Sequence, residues 1–445
     1  MTGIVIVGGG ASGVLLAAHL LRKRHPSLAV TIIEQRAELG AGVAYATQDP
    51  DHLLNVRAAN MSAFSDQPEH FFQWLRTDAP SFGDGLPEAS SFAPRRTYRD
   101  YLQSLLAPHL ADGRLRLVNA RAVAITETSD GVSVAFEDGA HIIADHAVVA
   151  TGNEGPKLPL APWRHNGWNS SPVPDLPAGA PVAIIGTGLT MVDWVLTLLH
   201  SGHRGPIVAI STRGLTPHAH RAISPVPLDA ATVPFGEPLS RTTRWLRRWA
   251  DRIEAESGDW RSAIDALRPH TQRLWQTLPL AAKRRFLRHA RPWWDQHRHR
   301  IAPQAAEKLA HARRTGQFRV IAGRVQGFAE RNGGVDIIVA TRGTRERPTV
   351  FARAVFECRG RASNVHDTDN TLLRSLLATG QARSDALNLG LDVTGDYALI
   401  GQSGDPSGRL HAIGPVTSGV FWEVTAVPDI RIQAANLAHK FLRVA

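Results

Sequence analysis

The chain has 445 residues, of which 43% are apolar and 20% charged, and its formal net charge is +10. This composition excludes a disordered or fibrous protein, and the length allows two or three compact domains. Cys358 is the single cysteine, which excludes an internal disulfide, a cysteine-based metal cluster and any chemistry that needs a redox-active pair of thiols.

The first residues lead directly into an apolar strand and carry no basic segment of the kind that opens a signal peptide. The longest apolar runs are shorter than a membrane-spanning helix requires. We therefore expect a cytoplasmic protein with no membrane partner.

The first predicted elements form a βαβ unit. An apolar strand over residues 4–7 is followed by a glycine turn over residues 8–13 and by an apolar helical run to residue 21. A second strand over residues 30–33 ends in Glu34, 21 residues after the last glycine of the turn. This is the dinucleotide-binding fingerprint in the strand–turn–helix context that it requires.

Each position of this turn has its own physical role. Gly8 allows the tight turn, Gly10 has no side chain to block a pyrophosphate, and Gly13 lets helix and strand pack closely. The N–H groups at the start of the helix attract phosphate, and Glu34 can accept hydrogen bonds from a ribose diol. The predicted contacts of this half are Gly8, Gly10, Ala11, Ser12, Gly13, Glu34 and Gln35.

The next region, residues 116–150, is predicted to form short strands. The last of them runs into Thr151-Gly152, a turn at which backbone can approach a dinucleotide. The alternative for this segment is an ordinary strand-to-helix turn without a ligand.

The pattern then restarts, which indicates an internal repeat. A strand over residues 182–185 leads into a second glycine turn that begins 178 residues after the first, and a helix over 189–200 and a strand over 207–210 follow. The turn has the looser form Gly186-x-Gly188-x-x-Met191, so the helix cannot pack as closely as in the first half.

The second half lacks an acid at the end of its second strand. Ser211 and Arg213 stand there, and a hydroxyl and a guanidinium suit the 2′-phosphate of NADPH. We therefore predict that Gly186, Gly188, Ser211 and Arg213 bind NADPH, or NADH. The alternative is a degenerate half that only supports the fold.

A long helical stretch is predicted from about residue 238 to 315. Residues 241–300 hold 15 Lys and Arg against 6 Asp and Glu, a net charge of +9. This basic insert could have solvated helix faces, or it could attract an anionic substrate or cofactor. Nucleic acid is not an expected partner, because the basic residues are interleaved with helical apolar spacing and carry no recognition motif.

Strands are predicted again over 318–357, and a helix over 429–442 ends the chain. Between them, residues 410–419 predict a strand, a glycine turn and a new helix start, which can direct N–H groups at a flavin ring. Together with the turn after residue 150, this segment favours FAD over NAD in the first half. The predicted contacts are Thr151, Gly152, Gly414, Thr417 and Gly419.

These motifs together resemble the FAD/NAD(P)-binding oxidoreductase family, which includes a bacterial FAD-dependent urate hydroxylase. The resemblance rests on the first glycine turn and on further segments at residues 40–45, 55–57, 186–193, 211–214 and 421–428. It implies an α/β protein with two Rossmann-like domains, an FAD domain over 1–160 and 351–445 and an inserted NAD(P)H domain over 175–350, plus the basic helical insert. Arg57 lies in a matching segment and is expected at the flavin.

The segment around Arg96 resembles flavin N-hydroxylases, in which a basic residue helps to hold the flavin. Thr97 stands where those proteins often have an acid, so this likeness is looser.

The expected activity is an FAD-dependent NAD(P)H monooxygenase that hydroxylates a small anionic substrate with O2, such as a urate-like heterocycle. Arg298 and Arg300 of the insert are candidate substrate contacts, unless they extend from a surface helix and contact none. An amino-acid N-hydroxylase, a flavin reductase that passes electrons to a protein partner and a non-catalytic flavin sensor stay open. No metal is expected, because no ligand spacing is present.

Overall fold

The computed structural model describes residues 2–79, 87–155, 157–159, 161–168, 175–360 and 364–443. The chain divides into two compact units. The first unit comprises residues 1–48, 56–157 and 362–445, and the second comprises 49–55 and 158–361. The second unit is thus formed by two segments inserted in the sequence of the first.

The elements follow one another in three blocks. The first unit begins with β1 (Thr2–Val7), α1 (Ala11–Leu21), β2 (Leu28–Glu34), α2 (His70–Thr77), α3 (Arg95–Ala111), β3 (Leu115–Asn119), β4 (Ala122–Glu127), β5 (Val132–Phe136), β6 (His141–Ala144) and β7 (His146–Val149). The second unit contains β8 (Arg164–Asn166), β9 (Val182–Ile185), α4 (Leu189–His200), β10 (Ile207–Ser211), α5 (Leu239–Ser257), α6 (Arg261–Leu267), α7 (Thr271–Thr277), α8 (Leu280–Arg285), α9 (Arg291–Arg298), α10 (Pro303–Arg314), β11 (Phe318–Arg331), β12 (Gly334–Thr341), β13 (Thr349–Ala352) and β14 (Ala354–Glu357). The first unit ends with α11 (Thr371–Ala378), β15 (Ala398–Ile400), β16 (Pro406–Ala412) and α12 (Val427–Leu442).

The first unit is built on a six-stranded sheet in the order β15-β16-β7-β1-β2-β3, parallel except for β15. Residues 4–7 of β1 are buried, which explains the unbroken apolar run, because a central parallel strand is covered on both faces. Helix α1 is almost wholly buried and packs against α3 and α12. Strands β4–β6 form a separate antiparallel sheet.

The second unit repeats this arrangement. Its seven-stranded sheet has the order β13-β12-β11-β10-β9-β14-β8, and the five strands from β11 to β8 are parallel. Strand β14 pairs with β9 as β7 pairs with β1. Residues 354–357, which the sequence analysis assigned to the FAD domain, therefore lie in the second sheet. Their side chains are all buried, which suits an inner strand.

The α/β fold class with two dinucleotide-binding units is as predicted. The stretch predicted as helical contains α5 to α10, with a π-helical turn, Phe286–Ala290, between α8 and α9. Helices α2, α3 and α11 were not predicted. Their apolar faces are short; α2, for example, buries only Phe71 and Leu75. Across the described ranges, none of the helices combines the length and the apolar character that crossing a membrane requires.

Candidate functional site

The first glycine turn connects β1 to α1 and is shaped by two very close backbone approaches. Gly8 has a φ of +114°, and a Cβ atom there would stand 2.4 Å from the carbonyl oxygen of Ala150. A Cβ on Gly13 would stand 1.9 Å from the carbonyl oxygen of Gly8. Both positions require glycine because the protein's own backbone occupies the space of a side chain.

Gly10 differs from its two neighbours in the fingerprint. It is the N-cap of α1 with a φ of −71°, and a Cβ atom there would meet nothing nearer than the Cα of Gly42, at 3.6 Å. The protein itself therefore leaves room for a side chain at Gly10. Among the described residues, no side chain caps the start of this helix. An open glycine at an uncapped helix start fits a bound pyrophosphate, which would need both the space and the N–H groups.

Glu34 is held at the end of β2 by backbone donors. The Gly9 N–H donates to Glu34 Oε2 at 2.7 Å, and the Arg36 N–H donates to Oε1 at 2.9 Å. A carboxylate has further lone pairs, so Glu34 can still accept hydrogen bonds from a ribose diol. Gln35, the next residue, is exposed.

The C-terminal glycine turn packs onto the start of α1. Gly414 has a φ of +76°, and a Cβ there would stand 2.2 Å from Ser12 Oγ. The buried Thr417 donates its hydroxyl to the Gly414 carbonyl at 2.8 Å. The fold thus brings Ser12 and the turn at 414–417, which the sequence places about 400 residues apart, to one place. A Cβ on Gly419 would overlap the carboxylate of Asp385, at 2.0 Å from its Cγ.

Polar groups after β7 and after the C-terminal glycine turn add to this region. Within the described residues, Thr151 Oγ1, Asn153 Oδ1 and Ser418 Oγ are buried without a hydrogen-bond partner. Gly152 follows Thr151 with a φ of +79°. Buried polar atoms normally find partners, so these groups mark a region whose bonding a ligand can complete. Sequence reasoning missed Asn153 and Ser418; the available signal was polar residues beside two predicted glycine turns.

Arg57 and Arg96 both lie in the first unit at helix starts. Arg57 is the half-buried N-cap of the short 3-10 turn Ala58–Asn60, and Arg96 is the half-buried second residue of α3. A cation in the first turn of a helix is unfavourable in the helix dipole. An anion near the start of α3 would relieve that repulsion on Arg96.

The second glycine turn repeats the geometry of the first. Gly186 has a φ of +117°, and a Cβ there would stand 2.4 Å from the carbonyl oxygen of Cys358. Gly188, the N-cap of α4, has no described atom within 4 Å of its Cβ position, so it matches Gly10. Met191 takes the place of the third glycine and is buried.

Ser211 and Arg213 lie at the end of β10, beside this turn. The Ser211 hydroxyl hydrogen-bonds the Thr187 hydroxyl at 2.8 Å and accepts from the Gly214 N–H at 3.1 Å. Its first role is thus to shape the loop. The Arg213 guanidinium donates to the carbonyl oxygen of His289 at 3.4 Å.

The two insert arginines differ in their surroundings. Arg300 has only 2% of its side chain exposed and is ion-paired with Asp265 of α6. It therefore does not extend from a surface helix, and a substrate could reach it only if the side chains around it moved. Arg298 is half-buried on α9. Neither position by itself assigns a substrate contact.

One group of side chains has ligand atoms spaced as a metal site would need. Asp49, Asp51 and His200 offer atoms that lie within 4.8 Å of one another. Lys308 Nζ, however, lies 2.6 Å from Asp51 Oδ2 and supplies a positive charge there. We therefore assign no metal to this group.

Comparison with known proteins supports the dinucleotide interpretation. Residues 5–154 match the family model of FAD-NAD(P)-binding proteins, which confirms the predicted class of cofactor. The chain is 30% identical over 170 residues to a salicylate hydroxylase of Sarocladium schorii, a match that covers 34% of this chain and 35% of that protein. The chain thus spans about a third of the length of the curated relative it matches.

Several solved structures are similar over the whole chain, including the following two. One is an ornithine N-hydroxylase of Kutzneria sp. 744 in complex with reduced FAD, NADP+ and L-ornithine, with a TM-score of 0.67, 16% identity and 99% coverage of both chains. The other is L-lysine 6-monooxygenase of Pseudomonas syringae, with a TM-score of 0.67, 13% identity and 100% coverage of both chains. At these identities the likeness establishes the fold.

Proposed function

We propose that this chain, in which residues 5–154 match the FAD-NAD(P)-binding family, is a single-component monooxygenase that uses FAD, NAD(P)H and O2. One observation carries the proposal. Gly8 closes on Ala150 in one unit, and Gly186 closes on Cys358 in the other, with the same 2.4 Å approach. Two dinucleotide sites in one chain suit a resident flavin and a nicotinamide donor.

The cysteine content separates this activity from the disulfide reductases that share the two-site design. Cys358 is the one cysteine, and it is buried. Burial raises the pKa of its thiol well above the usual range, so it is a poor nucleophile. Because the chain has no thiol pair to receive electrons from the flavin, we propose molecular oxygen as the electron acceptor.

The FAD site takes its residues from the first unit. Gly10 and the start of α1 would hold the pyrophosphate, Glu34 the ribose, and Arg57 and Arg96 are the candidate cations for the flavin. When bound, FAD would accept a hydride from NAD(P)H and pass the two electrons on to oxygen. The residues of this chain would bind and orient the FAD, and the N–H groups of Gly9 and Arg36 would hold the Glu34 carboxylate in position for the ribose.

For the substrate, we prefer an amine-bearing amino acid to the urate-like anion of the sequence analysis. Two of the full-length matches are named ornithine N-hydroxylase and L-lysine 6-monooxygenase, whereas no comparison reported above supports urate. The reaction would balance as amine, NADPH, H+ and O2 giving hydroxylamine, NADP+ and water. Hydroxylation of an aromatic acid is the second candidate, favoured by the partial match to a salicylate hydroxylase.

The test is NADPH oxidation by the FAD-loaded protein under air with L-ornithine, L-lysine, salicylate or urate. We expect one amine to accelerate NADPH oxidation and to give a product that carries one added oxygen atom by mass spectrometry. A flavin that NADPH reduces without oxygen, together with oxygen uptake under air that no substrate changes, would favour a reductase. A flavin that stays oxidised in excess NADPH would favour a sensor and would refute the proposal.

A further inference from the structure

Residues 289–291 of the basic insert lie near residues that follow two strands of the second sheet. The carbonyl oxygen of His289 lies 3.4 Å from Arg213 Nη2, just after β10. Two residues further on, Arg291 Nη2 lies 3.9 Å from the position of a Cβ on Gly360, just after β14. The segment 289–291 therefore contacts residues that follow two different strands of the second sheet.

Those two strands are the immediate neighbours of β9, whose end carries the turn Gly186–Gly188. Adjacent strands lie about 4.8 Å apart, so β10 and β14 are separated by about 10 Å. A segment that touches the ends of both strands flanks the carboxyl end of β9. In open α/β sheets, this edge is where ligands bind.

Arg291 presents positive charge at this edge. It is the first residue of α9 and directly follows the π-helical turn, an irregularity that is frequent at functional sites. Its side chain is 34% exposed and is ion-paired with Asp295 at 3.2 Å. Apart from chain neighbours, no other described atom lies within 4 Å of the Cβ position on Gly360.

We propose that Arg291 binds the pyrophosphate of NAD(P)H, while Arg213 binds the 2′-phosphate. The inference rests on the nicotinamide site of the proposed function. Phosphates are the anionic groups of the dinucleotide, and a guanidinium can bind two phosphate oxygens at once. NADH and NADPH share the pyrophosphate, so Arg291 contributes to the binding of both, and Arg213 discriminates between them. The insert thereby adds a charged phosphate contact to the backbone N–H groups of the Gly186–Gly188 turn.

The experiment is calorimetric titration of the oxidised, FAD-loaded protein with NADP+ and with NAD+. We expect Arg291→Ala to weaken the binding of both nucleotides by about tenfold. This loss is smaller than a fully buried charge-assisted contact would give, because the side chain is partly exposed. Arg291→Lys should restore part of the affinity, because Lys keeps the charge but loses the fork geometry. Arg213→Ala should weaken NADP+ alone.

Two matched controls separate ligand binding from structure. Arg244→Ala removes one exposed positive charge from α5 of the insert and should leave both affinities unchanged. Asp295→Asn removes the ion-pair partner of Arg291 and should not weaken either nucleotide. If Asp295→Asn acts like Arg291→Ala, or if Arg291→Ala leaves NAD+ binding unchanged, the pyrophosphate assignment is overturned. A wild-type protein that binds neither nucleotide would overturn the proposed function as well.

Discussion

Gly10 and Gly13 belong to the same glycine turn, yet their replacement should have opposite consequences. A Cβ on Gly13 would stand 1.9 Å from the Gly8 carbonyl oxygen, so Gly13→Ala forces α1 away from β1. Overpacking of this kind costs about 1–3 kcal/mol, and the backbone contact places this case at the upper end. A Cβ on Gly10 has 3.6 Å of clearance, so Gly10→Val should fold.

The cost of Gly10→Val falls on the cofactor. A side chain there would occupy the space proposed for the pyrophosphate, and one lost charge-assisted hydrogen bond costs about 1.5–3 kcal/mol, or about ten- to a hundredfold in FAD affinity. Gly10→Ala should give an intermediate loss. Gly179→Val, at an exposed glycine of the second unit with open space at its Cβ, is the matched control and should change neither property.

The assay has two readouts on each variant. The ratio of flavin to protein absorbance after purification, followed by titration of the apoprotein with FAD, measures cofactor affinity. Thermal unfolding of the apoprotein measures stability without the ligand. We expect Gly10→Val to lose FAD with an unchanged apoprotein melting temperature and Gly13→Ala to lower that temperature. Full FAD occupancy in Gly10→Val would refute the assignment of this turn as the pyrophosphate site.

Three further predictions concern charge. Arg213→Ala should raise the KM for NADPH by about ten- to a hundredfold and leave the KM for NADH nearly unchanged, since only NADPH has the 2′-phosphate; equal losses in steady-state assays would make Arg213 structural. Burial, assisted by the charge of Lys440, lowers the pKa of His411 from 6.5 to about 4. As pH falls, the unfolded chain binds this proton before the folded chain does, so the unfolding free energy should fall by roughly 3 kcal/mol between pH 6.5 and pH 4. Denaturant titrations at a series of pH values should show that the unfolding free energy of His411→Gln changes less over this range. Glu357 is fully buried and ion-paired with both Arg164 and Arg359; removing both partners in Arg164→Met/Arg359→Met should cost about 3–5 kcal/mol of unfolding free energy, and adding Glu357→Met should recover most of it, whereas equal instability of the double and triple variants would contradict a charge effect.

Much of the fold was predictable because it depends on local rules. A buried parallel strand needs an apolar run, as in residues 4–7, and a tight turn with positive φ and a close backbone approach needs glycine, as at Gly8 and Gly186. These requirements act within a few residues, so they leave a readable pattern. The order of strand, turn and helix therefore predicted both dinucleotide-binding units and the residues of their turns.

Helices whose burial depends on a few side chains were harder to predict. Helix α3 starts with two arginines, and its burial rests on Tyr98, Tyr101 and Leu102, which pack inside the first unit. The intrinsic helix propensity of such a segment is a weak signal, and tertiary packing decides whether it forms a helix. The charge of the insert was evident from the sequence, but its position over a particular sheet edge was not.

By itself, the sequence determined that the chain contains two glycine turns of the dinucleotide-binding type, because the residue type at each turn is dictated by its own backbone. Only the tertiary structure decided what each turn packs against. The backbone of Ala150 packs against Gly8 in the first turn, and the backbone of Cys358 packs against Gly186 in the second. Cys358 directly follows β14, which pairs with β9 and so belongs to the second sheet. The tertiary structure also places Arg291 near Gly360, just after β14. Such contacts join residues about 70 to 170 positions apart, and their partners are chosen by packing, which no local spacing encodes.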